Sequence, residues 1–250
     1  MHLVLPTGYD LTHFEAIDST NEEARRRAQA GEHGPLWIWA LQQTAGRGRR
    51  GRSWESPLGN LMCTLLLAPG VPPADAARLS FVAALAVHDL VAHFAPDATV
   101  RVKWPNDVLI GGRKAAGILL ESSGDAGARN LPWLAVGMGV NLAHAPDVTN
   151  FPATALAAHA SAPTPAEALT KLAISWDQRF RVWQESGFAP IREAWLERAA
   201  GLYQAIEVRL PGETVNGTFG GLDANGALTF VLPNGSTRAI TAGEVFFAAP

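Results

Sequence analysis

Only one cysteine, Cys63, stands in this chain of 250 residues, so no internal disulfide can form. It lies inside the apolar run 61–67, which reads as a buried strand, and a small core side chain is the reading that run supports. A single thiol also fits a reducing compartment. The opening residues, MHLVLPTGYDL, lack the basic stretch followed by an apolar one that marks an export signal. The apolar runs look too short to span a bilayer. The expectation is a cytoplasmic protein with no membrane partner. Positive charge is scarce as well: 20 Lys and Arg face 23 Asp and Glu, a net charge of -3 with a pI near 6.2. That excludes attraction of the whole surface to nucleic acid or to an anionic membrane, so any positive site must be local. Disorder is excluded by the opposite excess, 48% hydrophobic against 17% charged residues. The length suffices for one large domain, or one large and one small.

Up to about residue 200 the chain alternates apolar runs with helical patterns. Ser19 with Glu22, and Thr20 with Glu23, have capping-box spacing at the head of a helix. Residues 36–41 and 61–67 read as buried strands, and 74–94 as one helix. Residues 100–104 and 107–110 read as short strands, and Gly111-Gly112 turns the chain into a strand over 118–121, as in a hairpin. Residues 134–140 form another strand. Thr164-Pro165-Ala166-Glu167 joins a capping box to a proline at the first helical position, and a long helix to about 185 should follow. Residues 190–200 continue the helical pattern. Beyond 201 the character changes. Ile206, Val208 and Leu210 alternate with polar residues, and 223–226 and 233–235 are turn signals. Two domains are expected, 1–200 and 203–250, the second a small antiparallel barrel.

Four segments could carry chemistry. In residues 43–54, QTAGRGRRGRSW, four arginines are threaded through three glycines with no acidic residue before Glu55. Glycine lets a backbone approach a ligand closely, and guanidinium forks suit phosphate or carboxylate oxygens. Ordering residues 46–52 would cost at most about 7–14 kcal/mol of backbone entropy, at roughly 1–2 per residue. Such a loop should stay mobile until an anion offsets that cost. A solvated basic loop, a nucleic-acid contact and a small phosphate ligand all fit this segment. A P-loop does not, because no Gly-Lys-Ser/Thr closes it. In 101–108, RVKWPNDV, Lys103 sits on an apolar strand ended by Trp104-Pro105. Snorkelling from an edge strand and a fixed charge facing an anionic ligand both explain it. Asp107 reads first as a turn cap. In 113–121, RKAAGILLE, and 137–141, GMGVN, alternate glycines would leave a sheet face bare. A flat ligand or a packed helix could use that face.

Taken in order, Ser-Thr-Asn at 19–21, the Gly-Arg loop at 43–54, Lys-Trp-Pro-Asn-Asp at 103–107, and Arg-Lys-x-x-Gly-Ile-Leu with Gly-x-Gly-x-Asn at 113–141 resemble the catalytic core of biotin protein ligases. Each motif alone is weak, and the ordered set is specific. The resemblance implies an α+β fold: a central mixed sheet flanked by helices, as in class II synthetases, plus a C-terminal SH3-like β-barrel. Bifunctional members carry a winged-helix DNA-binding domain before the Ser-Thr-Asn segment. The 18 residues before Ser19 are too few for one, so the expectation is the monofunctional class, with no DNA partner. Met138 stands where branched aliphatic residues are usual, and its side chain is expected to point away from the glycine face.

The activity so implied is formation of biotinyl-5′-AMP from biotin and ATP with Mg²⁺, then transfer to a lysine of a biotin carboxyl carrier protein domain. A homodimer is compatible with it. By motif match, Ser19, Thr20, Asn21, Gln43, Gly46, Arg47, Gly48, Arg49, Trp54, Lys103 and Gly117 should bind biotin. Arg49, Arg52, Asn106, Lys114 and Asn141 should bind the nucleotide, with Lys103, Arg47 and Arg49 in the catalytic roles. The motifs name no Mg²⁺ ligand. Two other classes stay open: a lipoate ligase or related acyltransferase, and a nucleic-acid-binding protein resting on the arginine loop.

Overall fold

The computed structural model describes residues 3–123, 129–147 and 151–247. Seven strands form the larger sheet: β1 (Asp10–Ile17), β2 (Leu36–Gln43), β3 (Leu61–Leu67), β4 (Val100–Lys103), β5 (Asp107–Ile110), β6 (Arg113–Ser122) and β7 (Leu134–Val140), in the order β1-β2-β3-β7-β6-β5-β4. The sheet is mixed, as expected. β1 and β2 run parallel, joined through α1 (Thr20–Gln29), and every other pairing is antiparallel. The predicted hairpin is β5–β6, turning on Gly111 and Gly112, both at positive φ. β6 starts at Arg113, five residues before the expected 118.

The two faces of this sheet are covered differently. On one face lie α3 (Leu79–Phe94), α4 (Pro165–Ser186) and α5 (Phe188–Glu197), with Cys63, Val136, Met138 and Ile118 beneath them in the main core. Met138 therefore points away from the glycines, as expected. α3 is buried almost all round, because it lies between the sheet and α4. The helix expected over 74–94 is divided at Arg78 into α2 (Pro73–Ala77) and α3, where the bonds Arg78 to Asp75 and Phe81 to Arg78 tighten to three-residue spacing. Contrary to the first expectation, Pro73–Phe94 is long and apolar enough to cross a membrane by length and composition, yet much of it is buried inside this fold. On the opposite face α1 covers one end of the sheet, through Ala24 and Ala28 against Ile38, Leu66 and Ala135. The rest of that face is where the conspicuous motifs converge.

α4 begins as predicted: Thr164 and Glu167 close a full capping box, with Pro165 in the first turn. At α1 only half of the expected box forms. Ser19 caps the helix through the Glu22 amide, while the Glu22 carboxylate turns to Arg25 and Arg47.

The C-terminal strands β8 (Ala205–Leu210), β9 (Glu213–Leu222), β10 (Leu228–Val231), β11 (Thr237–Ile240) and β12 (Glu244–Phe247) form an antiparallel sheet in the order β11-β10-β9-β8-β12. It has the strand content expected of an SH3-like unit. Among the described residues β11 and β12 remain its two edges, so the barrel is not closed by hydrogen bonds. Trp195 on α5 joins the two sheets, edge-on to Phe81 of α3 at 5.6 Å and to Phe219 of β9 at 6.4 Å. Trp104, from the Lys-Trp-Pro-Asn-Asp motif, adds a bond from its indole N–H to the Gly226 carbonyl at 3.2 Å.

Candidate active site

A cavity of about 520 Å³ opens on the glycine-bearing face of the large sheet. Gly117 on β6 and Gly139 on β7 pair directly. The face they bare is not empty. A Cβ at Gly139 would meet the Trp54 indole at 2.5 Å, and one at Gly137 would meet Asn21 Oδ1 at 2.2 Å. The two readings of the glycine face divide it: at Gly137 the first turn of α1 packs through Asn21, while at Gly139 Trp54 lies on the sheet and supplies the flat wall of the cavity. Any side chain at either glycine would expel them. Gly46 does not line the cavity. It lets the loop backbone close on Trp54, Ser56 and Gln43, since a Cβ there would lie 2.4 Å from the Trp54 carbonyl oxygen.

One end of the cavity is neutral and hydrogen-bonded. Ser19, Thr20 and Asn21 reach it because they form the first turn of α1. Gln43, the last residue of β2, accepts from the Thr20 amide at 2.8 Å and donates to Ser56 Oγ at 3.0 Å. Asn21 donates to Glu121 at 2.8 Å.

The arginine loop forms one wall. It folds back on itself through an Arg47–Ser53 bridge and a one-turn 3₁₀ segment, Arg49–Gly51, with Arg50 at φ 58. The expectation that its charge is uncompensated is corrected. Arg47 meets Glu22 at 3.2 Å and Glu121 at 3.3 Å, while Arg50 and Arg52 both pair with Glu244 of β12. The compensating carboxylates come from remote parts of the sequence. Arg49 is half-buried and donates to Asn106 Oδ1 at 3.1 Å, and burial pulls its guanidinium below the ordinary value without discharging it. Asn106 in turn donates to the Ile118 carbonyl, which ties the loop to β6.

Beside the loop, next to Asn106, lies a pair of lysines sharing one carboxylate. Lys103 is 6% exposed, so it does not snorkel, although β4 is an edge strand. Its ammonium lies 3.6 Å from Asp107 Oδ2 and 4.2 Å above the Phe151 ring. Lys114 Nζ lies 2.6 Å from Asp107 Oδ1, a contact out of line for a hydrogen bond. Burial lowers the Lys103 pKa; Asp107 opposes the shift and Lys114 adds to it. Asp107 is thus the common counter-ion of two cations, which corrects its reading as a turn cap.

Every expected site residue except Gly46 lines this one cavity: Ser19, Thr20, Asn21, Gln43, Arg47, Gly48, Arg49, Arg52, Trp54, Lys103, Asn106, Lys114, Gly117 and Asn141. Asn141 is 3% exposed and already donates to the Thr154 carbonyl at 3.1 Å. Sequence reasoning missed Glu244 and Phe246, which β12 brings to the cavity rim from more than a hundred residues away. No local signal marked either. A preformed cavity with cations on one side, neutral amides and hydroxyls on the other and an indole wall suits a flat, polar-headed acid joined to a phosphate.

Comparison with known proteins gives the same picture. Residues 13–141 match the model of the Biotin/lipoate A/B protein ligase family, and 204–248 that of the Biotin protein ligase C terminal domain. A Biotin--[acetyl-CoA-carboxylase] ligase of Paracoccus denitrificans is 45% identical over 242 residues, 92% of this chain and 97% of that one. The Bifunctional ligase/repressor BirA of Bacillus subtilis is 30% identical over 94% of this chain and 73% of its own. The biotin protein ligase from Aquifex aeolicus, solved with biotin and ATP, superimposes with a TM-score of 0.80 at 26% identity, covering 95% of this chain and 97% of that one. This chain belongs to the biotin/lipoate A/B protein ligase family, with the C-terminal domain of its biotin protein ligases.

Proposed function

We propose that this chain forms biotinyl-5′-AMP from biotin and ATP and passes the biotinyl group to a lysine of a biotin carboxyl carrier protein domain. The observation that carries this reading is the single cavity in which the arginine loop and the Lys103–Asp107–Lys114 group face a neutral pocket walled by Trp54. A biotin carboxylate oxygen attacks the α-phosphorus and pyrophosphate leaves. The carrier ε-amine then attacks the acyl carbon, AMP leaves, and the amine gives up a proton. Both steps bring anions together or release one, so fixed cations aimed at the carboxylate and phosphate oxygens lower the barrier.

Roles follow from position. Thr20, Asn21 and Gln43 hold the ureido end, with Ser19 capping the turn that carries them. Trp54, over Gly117 and Gly139, packs against the bicyclic ring. Arg47, Gly48 and Arg49 close over the carboxylate and α-phosphate. Lys103, reinforced by Lys114, neutralises the carboxylate and then the acyl phosphate. Arg52, Asn106 and Asn141 serve the nucleotide. Among the described residues no group of three or more His, Cys, Asp or Glu side chains could hold a metal ion, and Asp107 is taken by two lysines. Mg²⁺ fits as a passenger on the ATP phosphates, where it would offset their charge.

This reading assigns residues 1–200 to the catalytic unit and 203–250 to an appended one. The two separate sheets support that division, and Glu244 and Phe246 give the appended unit a part in the site. The net charge of -3 supports a protein with no DNA or membrane partner, and the buried thiol of Cys63 a cytoplasmic setting. Pyrophosphate release with ATP plus biotin, lipoate or neither tests the reading. Release with biotin alone is the expected result; release with lipoate alone would move the chain to the other half of its family.

A further inference from the structure

Thr64 lies on β3, is 0% exposed, and does not line the cavity, yet its hydroxyl touches two residues that do. Its Oγ1 is 2.6 Å from Asn21 Oδ1 and 2.8 Å from Thr20 Oγ1, and Thr20 Oγ1 is 3.0 Å from Gln43 Oε1. A hydroxyl in an otherwise apolar strand is held there by these contacts.

The direction of each bond can be worked out by counting protons. The Asn21 amide has one orientation, because its Nδ2 faces two acceptors, Glu121 Oε2 at 2.8 Å and the Leu119 carbonyl at 3.4 Å. Its Oδ1 must then face Thr64. Gln43 is fixed likewise: its Oε1 accepts from the Thr20 amide at 2.8 Å, and its Nε2 donates to Ser56. Both carbonyl oxygens can only accept, and each hydroxyl brings one proton. Three oxygen–oxygen contacts therefore share two protons. Asn21 Oδ1 takes the Thr64 proton across the shortest of them. The Thr20 proton then has two internal acceptors, Thr64 Oγ1 at 2.8 Å and Gln43 Oε1 at 3.0 Å, and both hold it away from the cavity. What faces the cavity is lone pairs, on Thr20 Oγ1 and Gln43 Oε1, with no proton left to offer.

We propose that Thr64, held in place through Asn21 and Glu121, is a positioning residue for specificity: it keeps Thr20 Oγ1 and Gln43 Oε1 facing the neutral end of the cavity as acceptors, which selects a ring carrying N–H donors. This rests on the biotin reading given above. A ureido ring has two N–H groups to give, and a dithiolane ring has none, so the same count separates the two acids handled within the family. Without Thr64 the Thr20 proton keeps only Gln43 Oε1 as an internal acceptor, at the longer 3.0 Å, so the hydroxyl turns toward the cavity more readily and the surface loses polarity.

The test compares wild type with Thr64→Ser, Thr64→Val and Thr64→Ala. Calorimetry measures the affinity for biotin and for its two cyclic carbamate analogues, each with one ureido N–H replaced by an ether oxygen. Thermal melting checks folding, and KM for ATP is read in parallel. Wild type should prefer biotin over at least one carbamate by about tenfold or more, because an acceptor facing an acceptor strands buried lone pairs. Thr64→Ser should keep that ratio. Thr64→Val should reduce it to about threefold or less, with KM for ATP unchanged within about twofold, and Thr64→Ala serves where Thr64→Val does not fold. The proposal is overturned if the folded variants keep the wild-type ratio, if Thr64→Ser loses it, or if wild type binds both carbamates as well as biotin. If wild type neither binds biotin nor releases pyrophosphate with it, the ligase reading itself fails. If wild type passes and only the ratio stays fixed, the role of Thr64 fails alone.

Discussion

Asp107→Asn is the sharpest perturbation of the cationic side of the cavity. It keeps the side-chain volume and removes the charge that two lysines share. Removing one member of a buried ion pair costs about 3–5 kcal/mol, because the other charge is left without a partner. Lys114, with its side chain 28% exposed, can turn to solvent, whereas Lys103, at 7%, cannot. One stranded ammonium places the cost at the lower end, about 3 kcal/mol. For a chain of this size that lowers the melting temperature by about 6–12 °C. The pH dependence has a definite sign. Burial already holds Lys103 below the ordinary 10.5, and loss of Asp107 pushes it further down. Between the folded value and 10.5 the unfolded chain binds more protons than the folded one, so stability rises with pH across that window. The penalty of Asp107→Asn should be largest near about pH 7 and shrink by about pH 9.5, as Lys103 nears its unfolded pKa. Melting curves of both proteins at the two pH values check this. Equal melting temperatures near neutrality, or a penalty that grows with pH, would refute the shared counter-ion.

Other expectations follow from single contacts. Lys103→Ala should slow adenylate formation by about 10²–10³, the usual loss for one preorganised charge, and single-turnover pyrophosphate release would show it. Gly139→Ala should displace Trp54 and cost roughly 1–3 kcal/mol, with weaker biotin binding by calorimetry and a lower melting temperature. Glu244→Gln should release Arg50 and Arg52, speeding tryptic cleavage of residues 46–52 up to about fivefold, the range of an exposed ion pair. Biotin plus ATP should slow that cleavage in wild type, and unchanged cleavage would contradict loop ordering. Arg47→Ala or Arg49→Ala should let adenylate escape, which lowers the ratio of carrier-domain to serum-albumin labelling; an unchanged ratio with adenylate still formed would rule out retention by the loop.

Much of the architecture could be read because local chemistry dictated it. Thr164-Pro165-Ala166-Glu167 stops and starts the chain by its own hydrogen bonds, and Gly111-Gly112 forces the β5–β6 turn. The motifs were legible for the same reason, since each concentrates unusual residues in a short span. β1 was not legible: its exposure alternates poorly, and Leu11, Phe14 and Ile17 recur at intervals of three, a helical spacing. It is a strand because β2 pairs with it. The site was misread where the folded pairing decides the outcome. Lys103 looked unpaired until the turn at Pro105–Asn106 brought Asp107, four residues on, back beside it. The loop looked uncompensated until β12 delivered Glu244, and the glycine face looked bare until Trp54 and Asn21 folded over it. Thr64 passed unnoticed because a threonine in a strand is ordinary, and only its neighbours give it a task.

The most direct measurement is mass spectrometry of the nucleotides formed when the protein is incubated with ATP, Mg²⁺ and biotin, before and after a biotin carboxyl carrier domain is added. The expected result is biotinyl-5′-AMP, which disappears on addition of the carrier as the carrier gains one biotinyl group at a lysine. No biotinyl-5′-AMP at any time, or an adenylate formed only with lipoate, would contradict the account.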